Sequence, residues 1–139
     1  MPDRRSGRPP QRRRASERPS ARRVAQEVVH DVDVDDAYAN LLLPARIRDA
    51  GLDAQDAAFA TELAYGTLRW QGQLDVVIAA AAGRPIDEID ATTLSVLRTA
   101  VHQLARMRVP AHAAVHASIE LLGEHRGRRG FANAVLRKV

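Results

Sequence analysis

The sequence predicts an all-α domain, and three observations carry that prediction. Hydrophobic residues make up 45% of the 139 positions but aromatics only 4%, so the core must be built from Ala, Val, Leu and Ile, a composition that favours packed helices. Apolar residues recur three and four positions apart through most of the chain, as helix faces do. No run alternates apolar with polar residues for long enough to form a strand, and no internal repeat is visible.

Residues 1–20 hold Arg, Pro, Ser, Gly and Gln with almost no apolar side chain. Such a segment cannot bury enough surface to offset its ordering entropy, so a disordered basic arm is expected there, followed by one domain over 21–139. Ser20 is a plausible N-cap for a helix carrying Val24, Val28, Val29 and Val32 up to the acidic turn Asp33–Asp36. A second helix is expected from about Ala37 to Asp49, stopping at Gly51, with a kink or break at Pro44. The longest helical stretch runs from the N-cap Asp53 to Ala82, with Phe59, Leu63, Trp70, Leu74, Val77 and Ile78 along one face. Gly66 and Gly72 within it either permit close helix approach or mark a break.

After the loop Gly83–Asp90, Asp90 is the next N-cap, and Leu94, Leu97, Val101 and Leu104 form a buried seam ending before Val109-Pro110. A further helix is expected from Ala111 to His125, with Val115, Ile119 and Leu122 inward. Gly127 and Gly130 then bracket Arg128 and Arg129 ahead of a last helix with Phe131, Val135 and Leu136.

Composition excludes several chemistries. The chain has no cysteine, hence no disulfide, thiolate metal site or cysteine nucleophile. Asp31, Asp33 and Asp35 are spaced like the start of a calcium loop, but the Gly and Glu that such a loop needs are replaced by Asp36 and Leu42. His112 and His116 lie on one helix face without an evident third ligand for zinc, and no metal is assigned. A Ser-His-Asp triad lacks its strand-turn-helix setting, and no glycine-rich phosphate loop is present. Glu62 and Asp75 could be buried carboxylates, or members of a salt bridge or an exposed face. The apolar stretches are too interrupted to span a membrane and no export signal follows the basic start, so the expected compartment is the cytoplasm.

Charge is unevenly placed. The net +4 divides into +7 over residues 1–23, −9 over 24–97 and +6 over 98–139, and 20 of the 21 cations are Arg. Arg forks onto phosphate and stacks on bases, so a polyanion partner, most plausibly nucleic acid, competes with a solubilising role for these ends. The candidate contacts are Arg12, Arg13 and Arg14 in the arm, Arg22 and Arg23 in the first helical turn, and Arg126, Arg128 and Arg129 near the end. Few aromatics are available for base stacking, so phosphate contact is the expected mode.

Several motifs, in order, resemble a known family. LSVLRTAVHQLARMRVPAHAAVHASIELL and GFANAVLRKV, within Asp90–Val139, resemble the C-terminal helices of NusB, the transcription antitermination factor. Ser20–Val32 resembles its Arg-rich opening helix. AYANLLLP at 37–44, DAAFATELAYGTLR at 56–69 and LDVVI at 74–78 look more like the N-terminal domain of the RsmB family, ribosomal RNA 5-methylcytosine methyltransferases.

The resemblance implies a bundle of two packed subdomains that binds RNA and has no catalytic residue of its own. In RsmB-like enzymes a C-terminal Rossmann-type domain holds S-adenosylmethionine and the catalytic cysteines; this chain stops at Val139, so an N-terminal domain of a larger methyltransferase is expected. Arg22 and Arg23 fall on the Arg-rich start that contacts RNA in NusB, whereas Phe131, Asn133, Val135 and Leu136 fall on a closing-helix motif read as structural. The implied partners are ribosomal RNA and the enzyme's own catalytic domain. A free-standing antitermination factor, binding boxA-type RNA and a small ribosomal subunit protein, is the alternative, and a basic interaction domain with no RNA role is a third.

Overall fold

Two apolar clusters organise the molecule, and a buried helix lies between them. A computed structural model of the chain describes residues 19–139, so the expected disorder of the arm lies outside the described residues. Among the described residues seven α-helices are present: α1 (Ala21–Asp35), α2 (Ala39–Ala50), α3 (Ala54–Arg69), α4 (Gln71–Ala82), α5 (Ala91–Arg106), α6 (Ala111–Glu120) and α7 (Arg126–Arg137). One 3-10 turn, Ile86–Glu88, precedes α5, and no strand occurs among the described residues. The all-α expectation holds.

The first cluster joins α1, α2 and α3 through Val24, Val28, Leu43, Ala60 and Leu63. The second joins α4 to α7 through Leu74, Ile78, Leu97, Val101, Ile119 and Leu136. Between them runs a seam of buried polar side chains. Gln26 Nε2 donates to Ser95 Oγ at 2.9 Å, and Gln103 Nε2 donates to the Thr99 carbonyl at 3.2 Å. α5 is buried without interruption from Thr93 to Gln103 because it faces both clusters. A helix so placed cannot be amphipathic in the simple sense: its polar residues face the seam and its apolar ones the second core.

Four local expectations are corrected. The stretch 53–82 is two helices, broken at Trp70, whose φ of −100° and ψ of 11° leave the helical region. The break falls where the apolar face changes allegiance: Phe59 and Leu63 serve the first cluster, Leu74 and Ile78 the second. Val77 is accordingly outward, 41% exposed. α2 runs on through Pro44, whose missing N–H concerns an exposed turn where water can serve the orphaned carbonyl of Asn40. α6 ends at Glu120, five residues early, and α7 starts at Arg126, so Gly127 and Gly130 lie inside α7 rather than in a loop.

The N-caps follow the sequence. Ser20, Asp53 and Asp90 accept from the amides of Arg23, Asp56 and Thr93 respectively. Burial alone would raise the Asp90 carboxyl, but the Thr93 amide and hydroxyl and the Arg128 charge outweigh it and hold the carboxyl below its ordinary value of 3.8. A depressed carboxylate contributes stability that is complete above its unfolded pKa and is lost as pH falls through the folded one. Asp90→Ala should therefore cost about 1 kcal/mol at neutral pH, and the difference from wild type in urea unfolding should shrink below about pH 4. An equal difference at pH 7 and pH 3 would contradict the cap.

Candidate nucleic-acid interface

The fold draws two of the three arginine groups to one turn. Arg23, in the first turn of α1, donates through Nη2 to the Leu121 carbonyl at 2.8 Å and through Nη1 to Gln26 Oε1 at 3.2 Å. Arg129, in α7, donates through Nη1 to the Gly123 carbonyl at 2.7 Å and through Nη2 to Glu120 Oε2 at 2.8 Å. Both side chains thus satisfy or flank carbonyls that α6 leaves free at its C-terminus, where the helix dipole also favours a cation. The Arg129 hydrogen bond and charge hold the Glu120 carboxyl below its ordinary value.

Arg22 is half-buried beside them. Its Nε donates to Gln103 Oε1 at 2.7 Å and its guanidinium lies 5.1 Å from the centroid of the Phe59 ring. Its Nη1 and Nη2 make no hydrogen bond among the described residues. Arg22 and Arg23 were expected as rigid forks, and the structure adds that both are also tied into the fold. Arg22 reaches the polar seam and Arg23 reaches α6.

Arg126 is exposed on the first turn of α7, without a partner among the described residues, and shares with Arg129, Glu120 and Glu124 an open cleft of about 690 Å³. Arg128 points to a second cleft, of about 530 Å³, where its Nε lies 3.3 Å from Asp90 Oδ2. That cleft is floored by Phe131, with the Arg84 guanidinium 4.7 Å from the ring centroid, and flanked by His125, whose Nδ1 caps α7 by accepting from the Arg128 amide at 3.2 Å. Arg12, Arg13 and Arg14 lie outside the described residues, but the chain that bears them enters α1 directly before Arg22.

At the other end of α1 the character reverses. Asp31 pairs with His30 and Arg46, and Asp33 and Asp87 border a groove of about 530 Å³ with Ile86, Ile89 and Leu94. Beneath it Arg98, 4% exposed, donates from Nε and Nη2 to both oxygens of Asp75 at 2.7 and 2.9 Å. This makes Asp75 the half-buried partner of a buried arginine in a salt bridge, whereas Glu62 is exposed. The partners of Asp75 and Arg98 are 23 positions apart, so no local pattern announces them.

Seven helices in two clusters across a polar seam, with a cationic end and an acidic end, define an all-helical two-subdomain bundle. The profile of the NusB family matches residues 19–139. The chain belongs to the NusB family.

Over 121 residues it is 50% identical to a methyltransferase-named protein of Mycobacterium tuberculosis, covering 86% of this chain and 26% of that one. It is 34% identical over 104 residues to ribosomal RNA small subunit methyltransferase B of Pseudomonas putida, covering 73% and 23%. It is 30% identical over 128 residues to transcription antitermination protein NusB of Shewanella loihica, covering 89% and 95%. The chain thus spans about a quarter of the length of the methyltransferase-named relatives it matches.

Among solved structures, that of antitermination factors NusB and NusE in complex with double-stranded RNA aligns with a TM-score of 0.78 at 18% identity, over 84% of this chain and 90% of that one. That likeness shows the fold. No helix of the described residues is long and apolar enough to cross a membrane.

Proposed function

We infer that this chain is the RNA-binding domain of a ribosomal RNA cytosine-5 methyltransferase and positions small-subunit ribosomal RNA for a C-terminal S-adenosylmethionine-dependent domain. The observation that supports an RNA role is the convergence at one turn: Arg23 in the first turn of α1, and Arg126 and Arg129 on α7, lie around the C-terminus of α6. A cationic segment beside fixed guanidiniums captures phosphates electrostatically and then sets register. The described residues contain no strand and so no β-α-β unit of the kind that holds a nucleoside cofactor. The methyl-transfer chemistry in this reading belongs to a domain outside this chain, and this chain contributes binding and orientation in the cytoplasm.

A second reading, a free-standing antitermination factor that binds RNA together with a small ribosomal subunit protein, is favoured by one observation: the Shewanella NusB is matched over 95% of its length. The higher identities, 50% and 34%, are to methyltransferase-named proteins and support the first. The coding frame past Val139 separates the two, because only the first requires a cofactor-binding domain there.

The RNA role is tested by titrating a fluorescently labelled fragment of small-subunit ribosomal RNA at several salt concentrations. Affinity should fall steeply with salt, and Arg126→Gln with Arg128→Gln should weaken it by on the order of a hundredfold while flattening the salt slope. Arg126 is exposed without a partner among the described residues, whereas Arg128 holds Asp90 Oδ2 at 3.3 Å, so the comparison requires the double variant to keep the wild-type helix content by circular dichroism. Binding unchanged in the double variant would remove α7 from the interface.

A further inference from the structure

Away from that turn, the elbow between α3 and α4 carries a second cationic surface that none of the arginine groups above includes. Arg106, in the last turn of α5, lies over the Trp70 ring, its guanidinium carbon 3.6 Å from the centroid. Its Nη2 donates to Gln73 Oε1 at 3.0 Å, which fixes the plane. Arg69 immediately precedes Trp70, and Arg108 follows Arg106 by two positions; all three arginines are exposed. Among the described residues no carboxylate lies within ion-pair distance of any of them, although the fold pairs Arg46, Arg98, Arg128 and Arg129 with acids elsewhere. The same elbow holds buried polar atoms without a hydrogen-bond partner, Gln71 Oε1 and His102 Nδ1.

We propose that this elbow is a second contact for single-stranded RNA, in which a nucleobase stacks on the outer face of the Arg106 guanidinium, above Trp70, while Arg69 and Arg108 hold the flanking phosphates. The inference rests on the RNA-binding reading above and adds to it a place where a base is gripped. A guanidinium already laid on an aromatic ring is planar, weakly hydrated and held in place, so a base stacking on it loses less ordering entropy than on a free side chain. The exposed cations supply the phosphate neutralisation that accompanies stacking in single-strand grooves. A solely structural role for Arg106, clamping the elbow to α5, would leave Arg69 and Arg108 without a partner of either kind.

Trp70 is the only tryptophan in the chain, so its emission reports on this elbow alone. The test titrates the full chain with an unlabelled single-stranded RNA dodecamer of mixed sequence while following Trp70 emission, and in parallel measures anisotropy of the same dodecamer carrying a label. Emission should change saturably with the affinity that anisotropy reports, and inorganic polyphosphate should leave it nearly flat. Arg106→Lys keeps the charge but not the plane and should abolish the emission change. Arg106→Gln should weaken binding on the order of tenfold. Arg108→Gln, at an exposed residue with no hydrogen bond or ion pair among the described residues, should weaken binding and flatten the salt slope by about 0.7, the share of one single-strand phosphate.

RNA binding by anisotropy with flat Trp70 emission and unaffected Arg106 and Arg108 variants would overturn the elbow contact and leave the RNA reading standing. Polyphosphate changing the emission as fully as RNA does would overturn base stacking. No binding by either measurement at low salt would overturn both the elbow contact and the RNA reading.

Discussion

Asp75→Ala is expected to lower the unfolding free energy by about 3–5 kcal/mol, the largest effect of any single substitution considered. Arg98 is 4% exposed and donates to both carboxylate oxygens of Asp75; its remaining Nη1 lies 3.4 Å from Asp33 Oδ2 without a hydrogen bond. Removing Asp75 leaves a buried guanidinium with Asp33, 3.4 Å away, as its one counter-charge. Domains of this size are stable by only about 5–15 kcal/mol, so the variant should sit near its unfolding threshold. Urea unfolding followed by circular dichroism measures the loss. Arg98→Met combined with Asp75→Leu removes both charges and should cost clearly less than Asp75→Ala, because an ion pair replaced as a whole by apolar side chains of similar volume is often close to neutral. Asp75→Ala within 1 kcal/mol of wild type would show that the pair is solvated in solution.

Gly66→Ala tests the closest approach between α3 and α5. On helix propensity alone the substitution would stabilise by about 0.8–1.0 kcal/mol. A Cβ at Gly66, however, would lie 2.2 Å from His102 Nε2 and 2.7 Å from Cε1, and the His102 ring is itself buried at 4% exposure, so the helices must part or the ring must leave its place. Overpacking of this kind wins over propensity, and a net loss of about 2–3 kcal/mol is expected. The decisive comparison is the His102→Ala background. There the obstacle is gone, and Gly66→Ala should change sign and stabilise. Burial, with Arg106 nearby and Glu62 opposing, holds the His102 pKa below its ordinary value, so at pH 7 the comparison concerns a neutral ring. Gly66→Ala destabilising equally in both backgrounds would mean that something other than His102 fills the space.

Much of the fold was legible because it rests on local chemistry. The caps Ser20, Asp53 and Asp90, the termini at Gly51 and Gly83, and the inward faces of α1 and α5 follow from short-range hydrogen bonding and a 3.6-residue period. The two readings of Gly66, a break or a close approach, were separated only by packing: His102 of α5 lies against it, so it is the approach. The family was legible too, because its motifs are strings of consecutive residues.

What the sequence by itself determined, then, is the class of fold, the capped helix starts at Ser20, Asp53 and Asp90, the family and the uneven distribution of charge, each a property of neighbours along the chain. Tertiary structure alone decided that the apolar stretch 53–82 breaks at Trp70, since one straight helix cannot feed two cores that face different ways. It decided that Arg98 is spent inside on Asp75, that Arg23 and Arg129 meet at one turn of α6, and that Arg106 covers Trp70 while Arg69 and Arg108 stay exposed. Arginines are interchangeable in composition; which of them are buried, which are fixed and which face solvent depends on contacts that for Arg23, Arg98 and Arg106 span 23 to 98 positions, and those exist only once the two clusters have closed on their polar seam.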